Sequence, residues 1–324
     1  MKNIAVIGAG QLVSRYIQGI VKTSLEIKLE IVEPNIKSIQ NTQSRIDEVM
    51  QTQPKKNIQI SFKKNVLELS ENLDIVIIAT SSNVRYDLTK ELLLTKSVKV
   101  LILEKVLFQR ENEYYDILDL LRSNQVAAYV NHPLRMSPFI KRLKSKFCSE
   151  DNLNFFVCGG QWDFGCNALH YLDIMEFLSG KKISFMNGEL LDKRIWKSKR
   201  DGFIEITGML VGKLGNEQGY FQVFSGQQKA PVTMQIVGRN TNIILDKNNQ
   251  WSCDVSDGIL KCSNEKISYF QSDLSQYLIE SILNDTCELP LYEDSMLLHI
   301  KFIKILIEHL NAFSGVSYDH CPIT

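Results

Sequence analysis

Two side chains in this 324-residue sequence are of types, and in local settings, that can stabilise charge or move a proton. Lys105 follows the apolar run Val98–Leu103 and Glu104, within LILEKVL at 101–107. A lysine after so apolar a strand is expected at the strand's carboxyl end, where a cation stabilises negative charge developing on oxygen. A surface lysine after a strand is the alternative. His170 lies in GCNALHYLD at 165–173. On a helix over 166–179, Ala168, Leu172, Met175 and Ser179 share one side, and Cys166, His170, Asp173 and Phe177 the other. His170 is therefore off the most apolar stripe, with Asp173 at i+3 to orient it. Such a histidine takes a proton from a hydroxyl during oxidation and returns one during reduction. A helix-surface histidine paired with an aspartate is the other reading.

The elements that must position these groups fall into two textures. Over the first 130 residues, β-branched runs at Ile4–Ile7, Leu29–Val32, Ile58–Phe62, Ile75–Ile78, Val98–Leu103 and Val126–Val130 are mostly separated by helical patterns. That alternation predicts a parallel sheet covered on both faces. Beyond residue 150, strand-like runs follow one another at Asn154–Cys158, Ile183–Leu191, Phe203–Leu210, Gly219–Ser225, Val232–Val237 and Asn242–Leu245. These predict a mainly antiparallel sheet. One helix near 166–179 precedes most of them, and helices near Asp273–Asn284 and Tyr292–Leu310 follow. The expected architecture is α/β plus α+β: a Rossmann dinucleotide-binding domain over 1–130, and a substrate and oligomerisation domain over 131–324.

IAVIGAG at 4–10 runs into the turn Gly8-Ala9-Gly10-Gln11-Leu12-Val13. In a dinucleotide fingerprint the first glycine makes the tight turn, the second admits pyrophosphate, and the third lets helix and strand approach. Val13 stands at the third place, within the helical stripe Val13, Tyr16, Ile17, Ile20 and Val21. The following helix would present its amides to phosphate, placing Gly8, Gly10, Gln11 and Leu12 at a cofactor. Glu33 comes 25 residues after Gly8, at the end of the second strand. A carboxylate there accepts hydrogen bonds from ribose hydroxyls and repels a 2′-phosphate, favouring NAD over NADP. An acidic turn residue before Pro34 is the plain alternative. Thr80, Ser81 and Asn83 follow the buried run DIVIIAT at 74–80, and either line the cofactor crevice or belong to an ordinary loop.

These motifs, in this order, resemble the glucose–fructose oxidoreductase/inositol dehydrogenase/MocA (Gfo/Idh/MocA) family. IAVIGAG, DIVIIAT, EKVL at 104–107, NHPLRMSPFIKRLK at 131–144 and GGQWDFGCNALHYLD at 159–173 carry the likeness, over about half the chain. The resemblance implies that Lys105 is the catalytic lysine beside the nicotinamide, with Glu104 as its motif neighbour and Val106 in place of the usual proline. It implies that His170 handles the proton, that Asp173 is the aspartate one turn later, and that Asn131 and Arg135 border cofactor or substrate. A capping role is the alternative for Asn131. Catalytic members commonly carry an aspartate one turn before the histidine; this chain has Cys166 and Asn167 there. Asn167 remains a candidate ligand for a substrate hydroxyl, but His170 lacks that charge partner.

The implied activity is NAD(P)-dependent hydride transfer to or from a CH–OH group of a free sugar, cyclitol, sugar acid or nucleotide sugar, with surface-glycan biosynthesis as one setting. Three departures (Val13, Val106 and Cys166/Asn167) motivate an alternative: a dinucleotide- or sugar-responsive regulatory protein with weak or no catalysis. A biliverdin-reductase-like enzyme of similar layout is a third. The resemblance also implies a homodimer or homotetramer.

Lysine plus arginine and aspartate plus glutamate both total 37, which gives no global attraction to nucleic acid or anionic membrane. The basic runs Lys141, Arg142, Lys144, Lys146 and Lys193, Arg194, Lys197, Lys199, Arg200 are expected to be solvated faces. No stretch approaches the ~18 apolar residues of a membrane helix, and MKNIAVIGAG does not have the form of a signal peptide. Seven cysteines without a CxxC pair predict reduced thiols in a cytoplasmic protein and no metal site.

Overall fold

The strand–helix alternation at the N-terminus folds, in the computed structural model, into a six-stranded parallel sheet. The structure describes every residue except 9, 53–56, 149–150 and 217–218. The sheet comprises β1 (Lys2–Ile7), β2 (Ile27–Val32), β3 (Ile58–Lys63), β4 (Asn72–Ile78), β5 (Ser97–Glu104) and β6 (Ala127–Asn131). Helices α1 (Gln11–Ile20), α2 (Ile36–Thr52), α3 (Ser82–Thr95) and α4 (Glu111–Ser123) connect most of them. The spatial order β3-β2-β1-β4-β5-β6 is that of a doubly wound Rossmann sheet. Ile4–Ile7, Ile75–Ile78 and Leu101–Leu103 are essentially fully buried, as strands covered on both faces require.

The remaining strands form a second, eight-stranded sheet in the order β14-β13-β12-β11-β7-β10-β9-β8. They are β7 (Asn154–Gly160), β8 (Ile183–Lys197), β9 (Ile204–Leu214), β10 (Gly219–Gly226), β11 (Ala230–Gly238), β12 (Thr241–Asp246), β13 (Trp251–Ser256) and β14 (Ile259–Ser263). All pairs are antiparallel except β7 with β10. Helices α5 (Pro138–Ser145) and α6 (Phe164–Ser179) belong with this sheet. The sequence pattern misses β13 and β14 because β14 is exposed at every position and β13 buries only Ser252, so no apolar alternation marks either. It also ends β8 too early: the basic residues Lys193, Arg194 and Lys197 lie on the strand itself.

The chain divides into two compact units, and the first is not one contiguous stretch. It comprises Met1–Pro133 and takes back Tyr269–Ser295; the second comprises Leu134–Ser268 and Met296–Thr324. Helix α7 (Gln271–Leu283) rejoins the first unit because it packs closely on α1. A methyl group on Gly19 would stand 2.7 Å from Ser275 Cβ and 2.9 Å from Ser272 O, so only glycine permits the approach. Thr23 Oγ1 donates to Glu280 at 3.1 Å and Lys22 Nζ to Ser272 O at 3.1 Å across the same contact. Helix α8 (Tyr292–Phe313) is divided after Ser295. No described helix is long and apolar enough to cross a membrane.

Candidate functional site

Register, rather than sequence proximity, assembles the N-terminal site. Ile7 pairs with Val32 and Ile78, and Ile78 pairs with Leu103, so β1, β2, β4 and β5 end level with one another. Gly8, Glu33, Thr80 and Lys105 therefore emerge at one edge, the carboxyl end of a parallel sheet where α/β proteins bind ligands. Two strand spacings separate β1 from β5, about 10 Å.

Gly8 has φ +103°, a conformation closed to side chains, and sits against Thr80: a methyl group there would meet Thr80 Cγ2 at 3.3 Å. Ala9 lies outside the described residues. Gly10 caps α1 with no side-chain hydrogen bond to its first turn, and a methyl group on it would meet nothing within 4 Å. The α1 N-terminus thus faces open space and suits an anion. Gln11 and Leu12 are exposed beside it. Thr80 Oγ1 is buried with no hydrogen-bond partner, a donor–acceptor left over at the same edge. Ser81 caps α3 and its hydroxyl donates to Asn83 Oδ1 at 2.7 Å. Glu33 is half-buried, and its Oε1 accepts the Asn35 N–H at 2.8 Å. These features fit a dinucleotide.

Gly10→Ala separates binding from folding. Gly10 has φ −63° and ψ −178°, which alanine adopts without strain. The variant is expected to keep its melting temperature within about 3 °C while losing NADH affinity about tenfold or more, because the methyl group fills the space pyrophosphate needs. Differential scanning fluorimetry and fluorescence titration measure the two effects.

Glu104 and Asn131, also expected at the cofactor, are hydrogen-bonded to each other, while Asn131 Oδ1 is buried with no hydrogen-bond partner. Both are at most 4% exposed. Glu104 Oε1 accepts from the Tyr16 hydroxyl and from Asn131 Nδ2, the latter at 2.6 Å; Asn131 Nδ2 also reaches Gln271 Oε1 at 3.2 Å. Burial, and then the neighbouring Glu104 carboxylate, push the Tyr16 hydroxyl well above the ordinary phenol range, so it stays protonated and donates. The network fastens α1, β5, β6 and α7 beneath the next residue, Lys105.

Lys105 is half-buried, and the bond to Val106 is cis. Val106, Leu107 and Phe108 are fully buried behind it. Arg85, on α3 and only 1% exposed, donates to the carbonyls of Val106, Leu107 (3.0 Å) and Thr80, clamping the loops after β4 and β5 together. Tyr114 OH donates to Phe108 O at 2.9 Å. Sequence reasoning misses Arg85, because an arginine in the first turn of a weakly amphipathic helix reads as a surface residue.

In the second unit, α6 is buried on nearly every side, leaving Cys166, Asn167 and His170 half-exposed near its start. Gln161 and Asp163 adopt positive φ (50° and 56°), strained for residues with side chains, on either side of Trp162. Trp162 is held by its indole N–H, which donates to Phe224 O at 3.0 Å, and by edge contacts to Phe164 and Tyr171. Asn167 Nδ2 donates to Trp162 O at 2.9 Å, so part of this expected substrate ligand braces the turn. Glu205 accepts the Gly165 N–H at 2.7 Å, in the first turn of α6.

Asp173 and Arg135, expected to touch substrate, form a buried ion pair. Arg135 Nε and Nη2 reach the two Asp173 oxygens at 2.9 and 2.7 Å, and the guanidinium lies 5.0 Å over the Phe177 ring. Asp173 is 1% exposed. The helical wheel puts it opposite the most apolar stripe; it is buried because α6 is enclosed on that side as well. Burial raises the Asp173 carboxyl above its ordinary range, with Arg135 opposing the shift.

The basic runs are largely paired or stacked. Arg142 meets Glu265, Lys146 meets Asp254 at 2.8 Å, Lys199 meets Asp163 at 2.9 Å, and Arg194 stacks 3.7 Å from the Trp196 ring centroid. Among the described residues, no group of three or more His, Cys, Asp or Glu is placed to hold a metal.

Sheet order, glycine turn and an open helix N-terminus define a nucleotide-binding Rossmann protein with an appended antiparallel sheet. Residues 2–132 match the model of the oxidoreductase family with an NAD-binding Rossmann fold, Gfo/Idh/MocA. Solved structures share the fold across both sheets. A super-repressor mutant of Gal80p from Saccharomyces cerevisiae superposes with a TM-score of 0.71 at 16% identity, over 96% of each chain. A Gfo/Idh/MocA family oxidoreductase from Vibrio cholerae gives 0.69 at 15%, over 98% of this chain and all of that one. UDP-N-acetylglucosamine 3-dehydrogenase from Acidithiobacillus ferrooxidans gives 0.63 at 15%, over 98% of each. A search of curated proteins returned no match.

Proposed function

We propose that this protein is an NAD-dependent oxidoreductase acting on a CH–OH group of a sugar-like substrate. The carrying observation is Lys105: a half-buried cation at the carboxyl end of β5, level with Gly8 and Thr80, on a loop clamped by Arg85. Bound NAD supplies the hydride acceptor or donor. Gly10, the α1 N-terminus and Thr80 would hold it, and Glu33 would bind the adenosine ribose hydroxyls. The Lys105 ammonium would polarise the substrate oxygen and stabilise its developing negative charge. His170 would take the hydroxyl proton in oxidation and return it in reduction. With Cys166 and Asn167 preceding it, His170 has no carboxylate one helical turn back to sharpen its basicity. The Acidithiobacillus relative's name makes a nucleotide sugar the first substrate to try. The test is NADH binding by the purified chain, followed by turnover with sugars, cyclitols, sugar acids and nucleotide sugars. Binding without turnover would overturn the enzyme reading. Glu33→Ser is expected to erode preference for NADH over NADPH by about tenfold, read as a ratio of dissociation constants.

A second reading follows from the same departures around His170 together with the likeness to Gal80p, which in Kluyveromyces lactis is a transcriptional regulator. Here the protein binds dinucleotide and reports it without chemistry. Unchanged behaviour of Lys105→Ala in every assay would favour it.

The cellular setting we propose is the cytoplasm, and the assembly a homo-oligomer through the outer face of the second sheet. Register sets Phe185, Lys213 and Tyr220 in one row across β8, β9 and β10, and Leu190, Met209 and Phe224 in another on the same face, with Asn187, Val211 and Gln222 between them. Phe185, Leu190 and Tyr220 are 50–55% exposed and Phe224 39%, an apolar patch that a second copy would cover. Tyr220→Asp with Phe224→Glu is expected to give a monomer in size-exclusion chromatography with light scattering, with the fold intact by circular dichroism.

A further inference from the structure

The edge hairpin of the large sheet brings two cysteines together that the proposed reaction does not use. The antiparallel register of β13 and β14 sets Cys253 directly opposite Cys262. Opposed residues in such a pair have Cα atoms ~4.5–5.5 Å apart and side chains on one face. That separation falls inside the ~4.4–6.8 Å span of a disulfide. Cys262 is exposed and Cys253 partly so, leaving both within reach of a small reagent. Cys158 is also exposed, but its register partners are Thr233 and Phe224, so it has no opposed thiol.

We propose that Cys253 and Cys262 form a dithiol modification site, which a low-molecular-weight disulfide such as oxidised glutathione converts to an intramolecular cross-strand disulfide. The exposed Cys262 attacks first. Its thiol gives a proton to solvent, and the thiolate displaces one thiolate from the reagent, leaving a mixed disulfide on Cys262. Cys253 then loses its proton and attacks the Cys262 sulfur, expelling the second thiolate. Two protein thiols are oxidised by two electrons, and one external disulfide is reduced to two thiols. Cys253, directly opposite on the neighbouring strand and less exposed, is placed for the second, resolving step. The product ties β14, exposed at every position, to β13. In a reducing compartment the bond is reversible, so its occupancy follows the thiol–disulfide poise.

The sequence supplies a direct readout. Lys247, Lys261 and Lys266 are the tryptic sites around the pair, so Cys253 falls in peptide 248–261 and Cys262 in peptide 262–266. The full-length protein is treated with oxidised glutathione, alkylated and digested without reductant. The expected result is a single linked species joining 248–261 to 262–266, while Cys158 carries a stable glutathione adduct. Cys253→Ser should leave the adduct stranded on Cys262, and hydrogen exchange of β14 in the wild-type protein should slow by about tenfold or more on oxidation. Stable adducts on Cys262 in the wild-type protein, or both thiols unmodified at a reagent dose that modifies Cys158, would overturn the proposal.

Discussion

Lys105→Ala is expected to lower kcat/KM by about 10²–10³-fold with the substrate that turns over, while the NADH dissociation constant changes by less than about threefold. The asymmetry follows from where the groups sit. Gly8, Gly10, Thr80 and the α1 N-terminus are the contacts we propose for the dinucleotide phosphates, and Lys105 stands two strands away at β5. In the mechanism we propose, its cation acts on charge that develops on the substrate oxygen, so the loss falls on the transition state. Folding should be little affected, because the loop is anchored by others: Arg85 on the Val106, Leu107 and Thr80 carbonyls, and Tyr114 on Phe108. Steady-state kinetics, NADH titration and a melting curve on one preparation separate these effects. A Lys105→Ala protein that retains full turnover would remove the lysine from the mechanism.

Breaking the Arg135–Asp173 pair is expected to cost about 3–5 kcal/mol of stability, because either single replacement leaves a buried charge without its partner. Arg135→Met should show a deficit that depends on pH. Burial already raises the Asp173 carboxyl, and removing the guanidinium raises it further. A carboxyl whose folded pKa exceeds its unfolded value contributes stability at low pH and loses it as pH rises through the folded pKa. The deficit of Arg135→Met relative to wild type should therefore widen from pH 5 to pH 8 in urea titrations. The double variant Arg135→Met/Asp173→Leu should recover most of the loss, since a matched apolar pair leaves neither charge buried. A single variant as stable as the wild type at pH 8 would show that the pair is not buried in solution.

Both experiments turn on distinctions the sequence draws unevenly. The order of β1 to β6 and the glycine turn are visible because buried parallel strands are written as continuous apolar runs, and because φ +103° at Gly8 calls for glycine. Lys105 is visible for the same reason: it follows one of those runs. Residues whose significance comes from a distant partner are not visible in this way. Asp173 reads as a helix-face carboxylate until Arg135, 38 positions earlier, is brought against it. The bonds of Glu104 to Tyr16 and of Asn131 to Gln271 likewise join residues far apart in the sequence. Arg85 carries no local signal, because its value lies in three carbonyls on two other loops.

The sequence by itself determined the dinucleotide turn, the parallel first sheet, the mainly antiparallel second one and the position of the lysine. Each is encoded in local periodicity or in a backbone conformation few residues adopt. Only the tertiary structure decided that α7 returns to the first unit through the close approach at Gly19. It also turned Asp173 and Arg135 into an ion pair, and set Cys253 against Cys262. Those outcomes depend on which buried charges and polar groups meet across long sequence separations, and a buried polar group takes its role from the partner that satisfies it.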